Sequence, residues 1–241
     1  MRVADGAGGA VRARKPVAPM RQICYISAMK YEAALDIIGD DALFETELLF
    51  AGAADPQAIQ RQLPRWVHSG RLTKLRRGLY AVPAPHRTRV PDPFQVSNRL
   101  VRPSFVSMES ALHYHEMVPD VPFGVTAVTT GRAGTHDTPL GSYIYHHIAP
   151  SRFWGFDERE IAPGRRVYVA TAERALLDLL YLRRGSEQPA YLRQLRLQNL
   201  HRIDVAVLDG MAQRFGVAKL VRAVRSIQEA ACEDSLGWVT L

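Results

Sequence analysis

The chain has 241 residues, of which 47% are hydrophobic and 23% charged, and its formal net charge is +7. This composition is apolar enough for the chain to bury a core, and the length predicts one large domain or two small ones. The two cysteines, Cys24 and Cys232, supply neither a disulfide framework nor a metal motif. Two scattered thiols are typical of the reducing cytoplasm, so we expect a cytoplasmic protein. No apolar run reaches the roughly 18 residues of a membrane span, so we expect no membrane partner.

The charge is distributed unevenly along the chain. Residues 1–28 are rich in Gly, Ala, Arg and Pro without a hydrophobic period, which predicts a disordered basic tail. Residues 29–53 carry one basic and six acidic side chains, whereas residues 54–80 carry six basic side chains and one acidic. An acidic segment followed by a basic one predicts a small polarised domain whose basic half faces a polyanion.

Two short helices are predicted at the start of this domain. Apolar residues spaced three, four and seven positions after Tyr31 predict a helix that ends at Gly39. The stretch FETELLFAG, residues 44–52, predicts a second helix closed by Gly52. Both helices lie in the acidic segment, so we expect them to sit away from any bound phosphates.

A third helix begins with a strong local signal. Asp55 followed by Pro56 is typical of a helix N-cap and first helical position, and the helix should run to about Ser69. Pro64 removes one backbone donor inside this helix, which predicts a bend. The helix face opposite its apolar residues carries side chains suited to base edges and phosphates: Gln57, Gln60, Arg61, Arg65 and His68.

A basic β-hairpin follows directly. RLTKL and GLYAV, joined by RRG, predict two short strands within residues 71–82. Helices followed by such a hairpin predict a winged helix-turn-helix over residues 29–82, with the third helix in the DNA major groove and the hairpin near the phosphates or minor groove. The hairpin side chains predicted to contact DNA are Arg71, Lys74, Arg76 and Arg77.

The remainder of the chain predicts a second domain. Residues 83–93 form a proline-rich linker, and residues 94–241 mix helical and strand patterns. The overall prediction is an α+β fold, an N-terminal winged helix-turn-helix followed by a larger mixed α/β C-terminal domain. Its predicted elements are helices near 93–101, 107–118, 171–185, 204–215 and 217–231, and strands near 104–107, 125–131, 142–149 and 165–171.

The histidines of this second domain resemble metal ligands by type but not by spacing. His113 and His115 are two apart on a helix, and His146 and His147 alternate across a strand, so neither pair can share one ion. Glu109 shares a helix face with His113, but a third ligand is not evident. We therefore predict no metal and no cofactor.

Other polar residues of the C-terminal domain have structural explanations. Ser107 lacks the glycine-flanked context of a hydrolase nucleophile and is predicted to be a helix N-cap. Asp178 lies in a very apolar helix, and Arg174 four residues earlier is its predicted partner. A C-terminal helix carries three basic side chains, Lys219, Arg222 and Arg225. They are as consistent with a second DNA-contacting surface as with an ordinary solvated helix face.

Three sequence blocks occur in a characteristic order. They are RRGLY, S-ESAL-YH and AERALLDLLY, and over residues 30–228 the chain resembles the AbiEi-type antitoxins of type IV, abortive-infection toxin–antitoxin systems. The resemblance implies a winged helix that binds its own promoter DNA and represses its operon. It also implies a C-terminal domain that counteracts a nucleotidyltransferase-like toxin without a stable complex, and it supplies no catalytic residues. Pro64 departs from the uninterrupted third helix of that family.

Two other functions remain open from the residues alone. The C-terminal domain could be a nuclease-like enzyme that the winged helix brings to nucleic acid, although acidic and histidine residues at metal spacing are not evident. Alternatively, the chain could be a protein-interaction adaptor whose winged helix never contacts DNA. The charge polarity of residues 29–80 favours the DNA-binding interpretation, in which the protein is not an enzyme.

Overall fold

The computed structural model describes residues 29–237 apart from residues 52, 54 and 88, and it has a mixed α+β fold with two sheets. The predicted basic tail, residues 1–28, and the predicted stop at Gly52 lie outside the described residues. Within the described part, no helix combines the length and hydropathy that crossing a bilayer requires.

The N-terminal part contains helices and a small antiparallel sheet. Its elements are α1 (Tyr31–Ile38), β1 (Leu43–Glu45), α2 (Thr46–Phe50), α3 (Pro56–His68), β2 (Thr73–Arg76) and β3 (Leu79–Ala81). The strand order is β1-β3-β2, with Leu43 and Thr73 both opposite Ala81. Most buried side chains of these helices and strands form one core, in which the ring of Tyr31 meets that of Trp66 edge-on at 5.5 Å.

The prediction of one helix over residues 44–52 was wrong at its beginning. Leu43 and Phe44 are buried in strand β1, and α2 begins only at Thr46. The reason is a partner distant in sequence, because the backbone of β1 bonds to β3 more than 30 residues later. A strand of three residues is too short to show a hydrophobic period in the sequence.

Helix α3 has the predicted bounds. The Asp55 carboxylate accepts a hydrogen bond from the Ala58 backbone N–H at 3.0 Å, which caps the helix as expected. The helix runs without interruption across Pro64. Ile59 and Leu63 are buried, so the predicted apolar face packs inward.

The C-terminal part is built on a six-stranded mixed sheet, in the order β6-β7-β5-β4-β9-β8. Its strands are β4 (Ser104–Val106), β5 (Val125–Thr129), β6 (Gly134–Thr138), β7 (Gly141–His147), β8 (Phe156–Ala162) and β9 (Arg165–Ala170). Its helices are α4 (Pro93–Leu100), α5 (Met108–Tyr114), α6 (Ala172–Leu182), α7 (Pro189–Leu195), α8 (Val205–Phe215) and α9 (Ala218–Gly237). Strands β6 and β8 and helix α7 were missed, since the two edge strands carry mostly exposed polar side chains without the alternation of a half-buried strand.

The six-stranded sheet is covered on both faces. Adjacent residues on a strand point to opposite faces, and Val128 packs in the main core with α5, α6, α8 and α9, whereas Ala127 packs with α4. The Ala127 face also contacts the N-terminal part, because Leu43 and Leu79 lie in the same apolar cluster as Ala127. The two parts of the chain therefore share buried surface.

The structure corrects the expectation for Ser107 and confirms the one for Asp178. Ser107 precedes α5 at the N-cap position, but its side chain makes no capping bond and donates instead to Asp178. The predicted pair of Arg174 with Asp178 is present, and both side chains are fully buried. The hydroxyl points inward because the buried carboxylate of Asp178 needs hydrogen-bond donors to offset its loss of water.

Candidate nucleic-acid interface

The polar face of α3 forms one continuous exposed stripe. The five side chains predicted to contact DNA from this helix are all exposed: Gln57, Gln60, Arg61, Arg65 and His68. They recur at three- and four-residue intervals, so they lie on one side of the helix, opposite the buried Ile59 and Trp66. The exposed ring of Pro64 lies within the same stripe.

One arginine of the stripe has an intramolecular partner. Arg61 lies 3.6 Å from the carboxylate of Asp55, and 66% of the Arg61 side chain is exposed. A solvent-exposed pair of this kind contributes about 0–1 kcal/mol, so it does not prevent Arg61 from turning towards another anion.

The base of the hairpin is anchored to α1. The Tyr31 hydroxyl donates to the Arg71 carbonyl at 2.8 Å, and the Arg71 guanidinium lies over the Tyr31 ring at 5.3 Å. Burial raises the pKa of Tyr31, and the charge of Arg71 opposes that shift. Arg71 and Lys74 are exposed.

The two arginines of the hairpin turn differ. Arg77 is exposed, whereas Arg76 is half-buried and donates from Nε and Nη2 to the Arg99 carbonyl at 3.1 and 3.0 Å. Strand β2 has a register shift between Lys74 and Arg76, so Leu75 is extra relative to β3. Such a bulge alters the direction of the following side chain, and here it accompanies the turn of Arg76 towards α4.

Helix α3 and the hairpin face a common groove of about 940 Å³. Gln57, Gln60 and Arg61 line it from the helix, and Arg77 lines it from the hairpin turn. The structure thus brings together predicted residues from two separate elements. The width and direction of such a groove depend on the packing of both elements against the shared core.

Acidic side chains also line this groove, which the sequence interpretation missed. Glu45 and Glu47, expected to lie away from the basic face, are both among the lining residues. Glu45 forms an ion pair with Arg102 at 2.8 Å, so part of its charge is balanced by the C-terminal domain. The pairing of β1 with β3 brings this acidic segment beside the hairpin.

The residues of the predicted second basic surface have separate surroundings. Lys219 donates to the Arg183 carbonyl at 2.6 Å and pairs with Glu187 at 3.5 Å. Arg222 and Arg225 are exposed on α9, and Arg225 lines a cleft of about 460 Å³. Lys219 is therefore engaged with the chain after α6, and the charge of Arg222 also acts on Glu187.

Four titratable side chains from α5, β7, α7 and the end of α6 interact in the C-terminal domain. Arg183 donates to Glu109 at 2.7 Å. Burial lowers the pKa of His146, with a further lowering from Arg183 that Glu109 opposes. Burial and the charge of Glu109 raise the pKa of Tyr191. Sequence spacing could not reveal this cluster, because its members lie on four separate elements.

No three His, Cys, Asp or Glu side chains within the described ranges lie close enough together to hold a metal ion. Comparison of the chain with protein-family models and with curated proteins finds no match.

Proposed function

We propose that this protein is a DNA-binding transcriptional repressor whose residues 29–82 form a winged helix-turn-helix. The observation that carries the proposal is the common groove between α3 and the hairpin turn. Part of the exposed stripe lines it from the helix, namely Gln57, Gln60 and Arg61, and Arg77 lines it from the turn. The order of elements, α1-β1-α2-α3-β2-β3 with sheet order β1-β3-β2, also fits such a domain.

In the proposed complex, α3 lies in the major groove. A helix with its side chains is about 10–12 Å across, and the major groove is about 12 Å wide. Arg65 and Gln60 can each make two hydrogen bonds to one base edge, and the exposed ring of Pro64 offers an apolar surface for a thymine methyl group. Lys74 and Arg77 of the hairpin contact phosphates and fix the orientation of the domain.

We further propose, from the resemblance to AbiEi-type antitoxins, that the protein represses its own operon and counteracts a nucleotidyltransferase-like toxin. In this proposal, the C-terminal domain acts without a cofactor, without catalysis and without a stable complex with the toxin. Growth of cells that express the neighbouring toxin gene, with and without this chain, tests the antitoxin activity. Toxicity that persists despite expression of folded protein would reject it.

Fluorescence anisotropy with the full chain tests DNA binding. The protein is titrated into a duplex from its own upstream region and into a scrambled duplex, each over a salt series. We expect tighter binding to the upstream duplex and a steep decrease in affinity with salt, because neutralised phosphates release counterions. Equal binding to both would indicate a nonspecific nucleic-acid binder, and binding to neither at low salt would favour a protein-interaction adaptor.

A further inference from the structure

The position of the hairpin turn is fixed by the C-terminal domain as well as by the hairpin's own domain. Arg76 reaches across to the carboxyl end of α4, where Arg99 lies in the last turn. Carbonyls in the last turn of a helix have no partner within the helix, and the helix dipole makes that end negative. A guanidinium that supplies two N–H groups to one such carbonyl satisfies it with charge-assisted bonds.

The contact is reciprocal. The Arg99 side chain crosses in the opposite direction, donating to the Leu43 carbonyl at 2.6 Å and to the Asp41 carboxylate at 3.1 Å. Arg102, just beyond α4, pairs with Glu45 at 2.8 Å. Hydrogen bonds and ion pairs thus connect both the segment around β1 and the hairpin turn to the carboxyl end of α4.

Apolar burial accompanies these polar ties. Leu43 and Leu79 from the small sheet pack with Val96 and Leu100 of α4 and with Tyr145 of β7, and all five are nearly or fully buried. Well-packed interiors resist small displacements. The end of α4 is therefore a firm support for the hairpin.

The same guanidinium also fixes the turn itself. Nη1 of Arg76 donates to the carbonyl of Arg77 at 2.8 Å, and the Gly78 carbonyl accepts from the Thr46 N–H at 2.9 Å. We propose that Arg76 is a positioning residue, through which the C-terminal domain holds the turn that presents Arg77. The DNA-contact role of Arg77 in this inference rests on the proposed function; the tie made by Arg76 does not.

Hydrogen exchange of the full chain without DNA tests the tie. The variants are Arg76→Lys, which keeps the charge but cannot reproduce the planar set of donors, Arg76→Gln, and Arg77→Gln as the charge-matched neighbour. We expect both Arg76 variants to accelerate exchange of the β2–β3 amides severalfold, while Arg77→Gln leaves it unchanged. Arg76→Lys is the milder change and keeps the test valid if Arg76→Gln fails to fold.

Salt-dependent DNA binding of the same variants separates positioning from contact. Arg77→Gln should reduce the slope of log affinity against log salt by about one, because one phosphate contact is lost. Both Arg76 variants should weaken binding severalfold and leave that slope unchanged.

The outcomes are distinguishable. Hydrogen exchange at the wild-type rate in both Arg76 variants would show that Arg76 does not hold the turn. A second pattern would also contradict the proposal: wild-type exchange and affinity in Arg76→Lys together with a reduced salt slope in Arg76→Gln. That pattern would indicate that Arg76 contacts a phosphate. A wild-type protein that binds no DNA, with faster exchange in the Arg76 variants, would reject the proposed function and retain the tie.

Discussion

The hydroxyl of Ser107 donates to the carboxylate of Asp178 at 2.7 Å in the interior of the C-terminal domain. Arg174 donates to the same carboxylate from Nε and Nη2 at 3.0 and 2.8 Å. The Arg174 guanidinium also lies over the rings of Trp154 and Phe215 at 4.6 and 4.7 Å. Burial raises the pKa of Asp178, and Arg174 and Ser107 oppose that shift. The cluster joins α6 to the junction of β4 and α5.

Replacing Asp178 with Asn should destabilise the protein strongly. The change leaves the buried Arg174 guanidinium without its counterion, and breaking a buried pair in this way costs about 3–5 kcal/mol. Denaturant unfolding measures the loss. Asp157→Asn is the control, since its pair with Arg159 at 2.7 Å is about half exposed, and its effect should stay within about 1 kcal/mol. Equal small losses in both variants would contradict a structural role for the buried pair.

Gly155→Ala should destabilise the protein more than Gly164→Ala does. Both glycines have a left-handed backbone, with φ of 77° and 72°, so both substitutions incur conformational strain of about 1–2 kcal/mol. A Cβ at Gly155 would also approach the Arg174 side chain to 3.1 Å, whereas nothing lies within 4 Å of one at Gly164. The difference in melting temperature between the two variants measures the effect of crowding against Arg174. Identical melting temperatures would show that the Arg174 side chain moves aside without a loss of stability.

Arg65→Ala should relax sequence preference on DNA. If Arg65 makes two hydrogen bonds to a base, its loss should reduce discrimination at one base pair by about 1–3 kcal/mol. Anisotropy with a panel of single-base variants of the upstream duplex measures this. Arg159→Ala removes the same charge from strand β8. A similar loss of discrimination in Arg159→Ala would attribute the effect to net charge and count against the assignment of α3.

Acidification should destabilise the native state through His146. Burial, followed by Arg183, lowers the pKa of His146 in the folded protein, so the unfolded chain binds the proton more tightly. The free energy of unfolding should therefore fall as the pH falls below the ordinary histidine value of about 6.5. Urea titrations at neutral and mildly acidic pH should show a weaker decrease for His146→Gln. His147→Gln, at the exposed neighbour on the same strand, should keep the wild-type decrease; a wild-type decrease in His146→Gln would reject this assignment.

Local signals account for the elements that were predicted correctly. Asp55, Pro56 and the apolar spacing of α3 act within a few residues of one another, so the bounds of that helix follow from sequence. Strand β1 depends instead on backbone pairing with β3, which is distant in sequence. The edge strands β6 and β8 pair with the strands that follow them, β7 and β9, but their own side chains are mostly polar and exposed. None of these three strands shows the hydrophobic period of a half-buried strand.

The sequence by itself determined the helix boundaries of α3, the basic hairpin and the exposed polar stripe, because these depend on spacing along one element. Tertiary structure alone separated Arg76 from Arg77, which are identical and adjacent in the chain. The difference arises because the carboxyl end of α4 offers a free carbonyl at Arg99, 23 residues away, to one side chain and not to the other. The same reason applies to Ser107, whose hydroxyl bonds to Asp178, 71 residues away. Contacts between distant residues depend on packing, which no local pattern encodes.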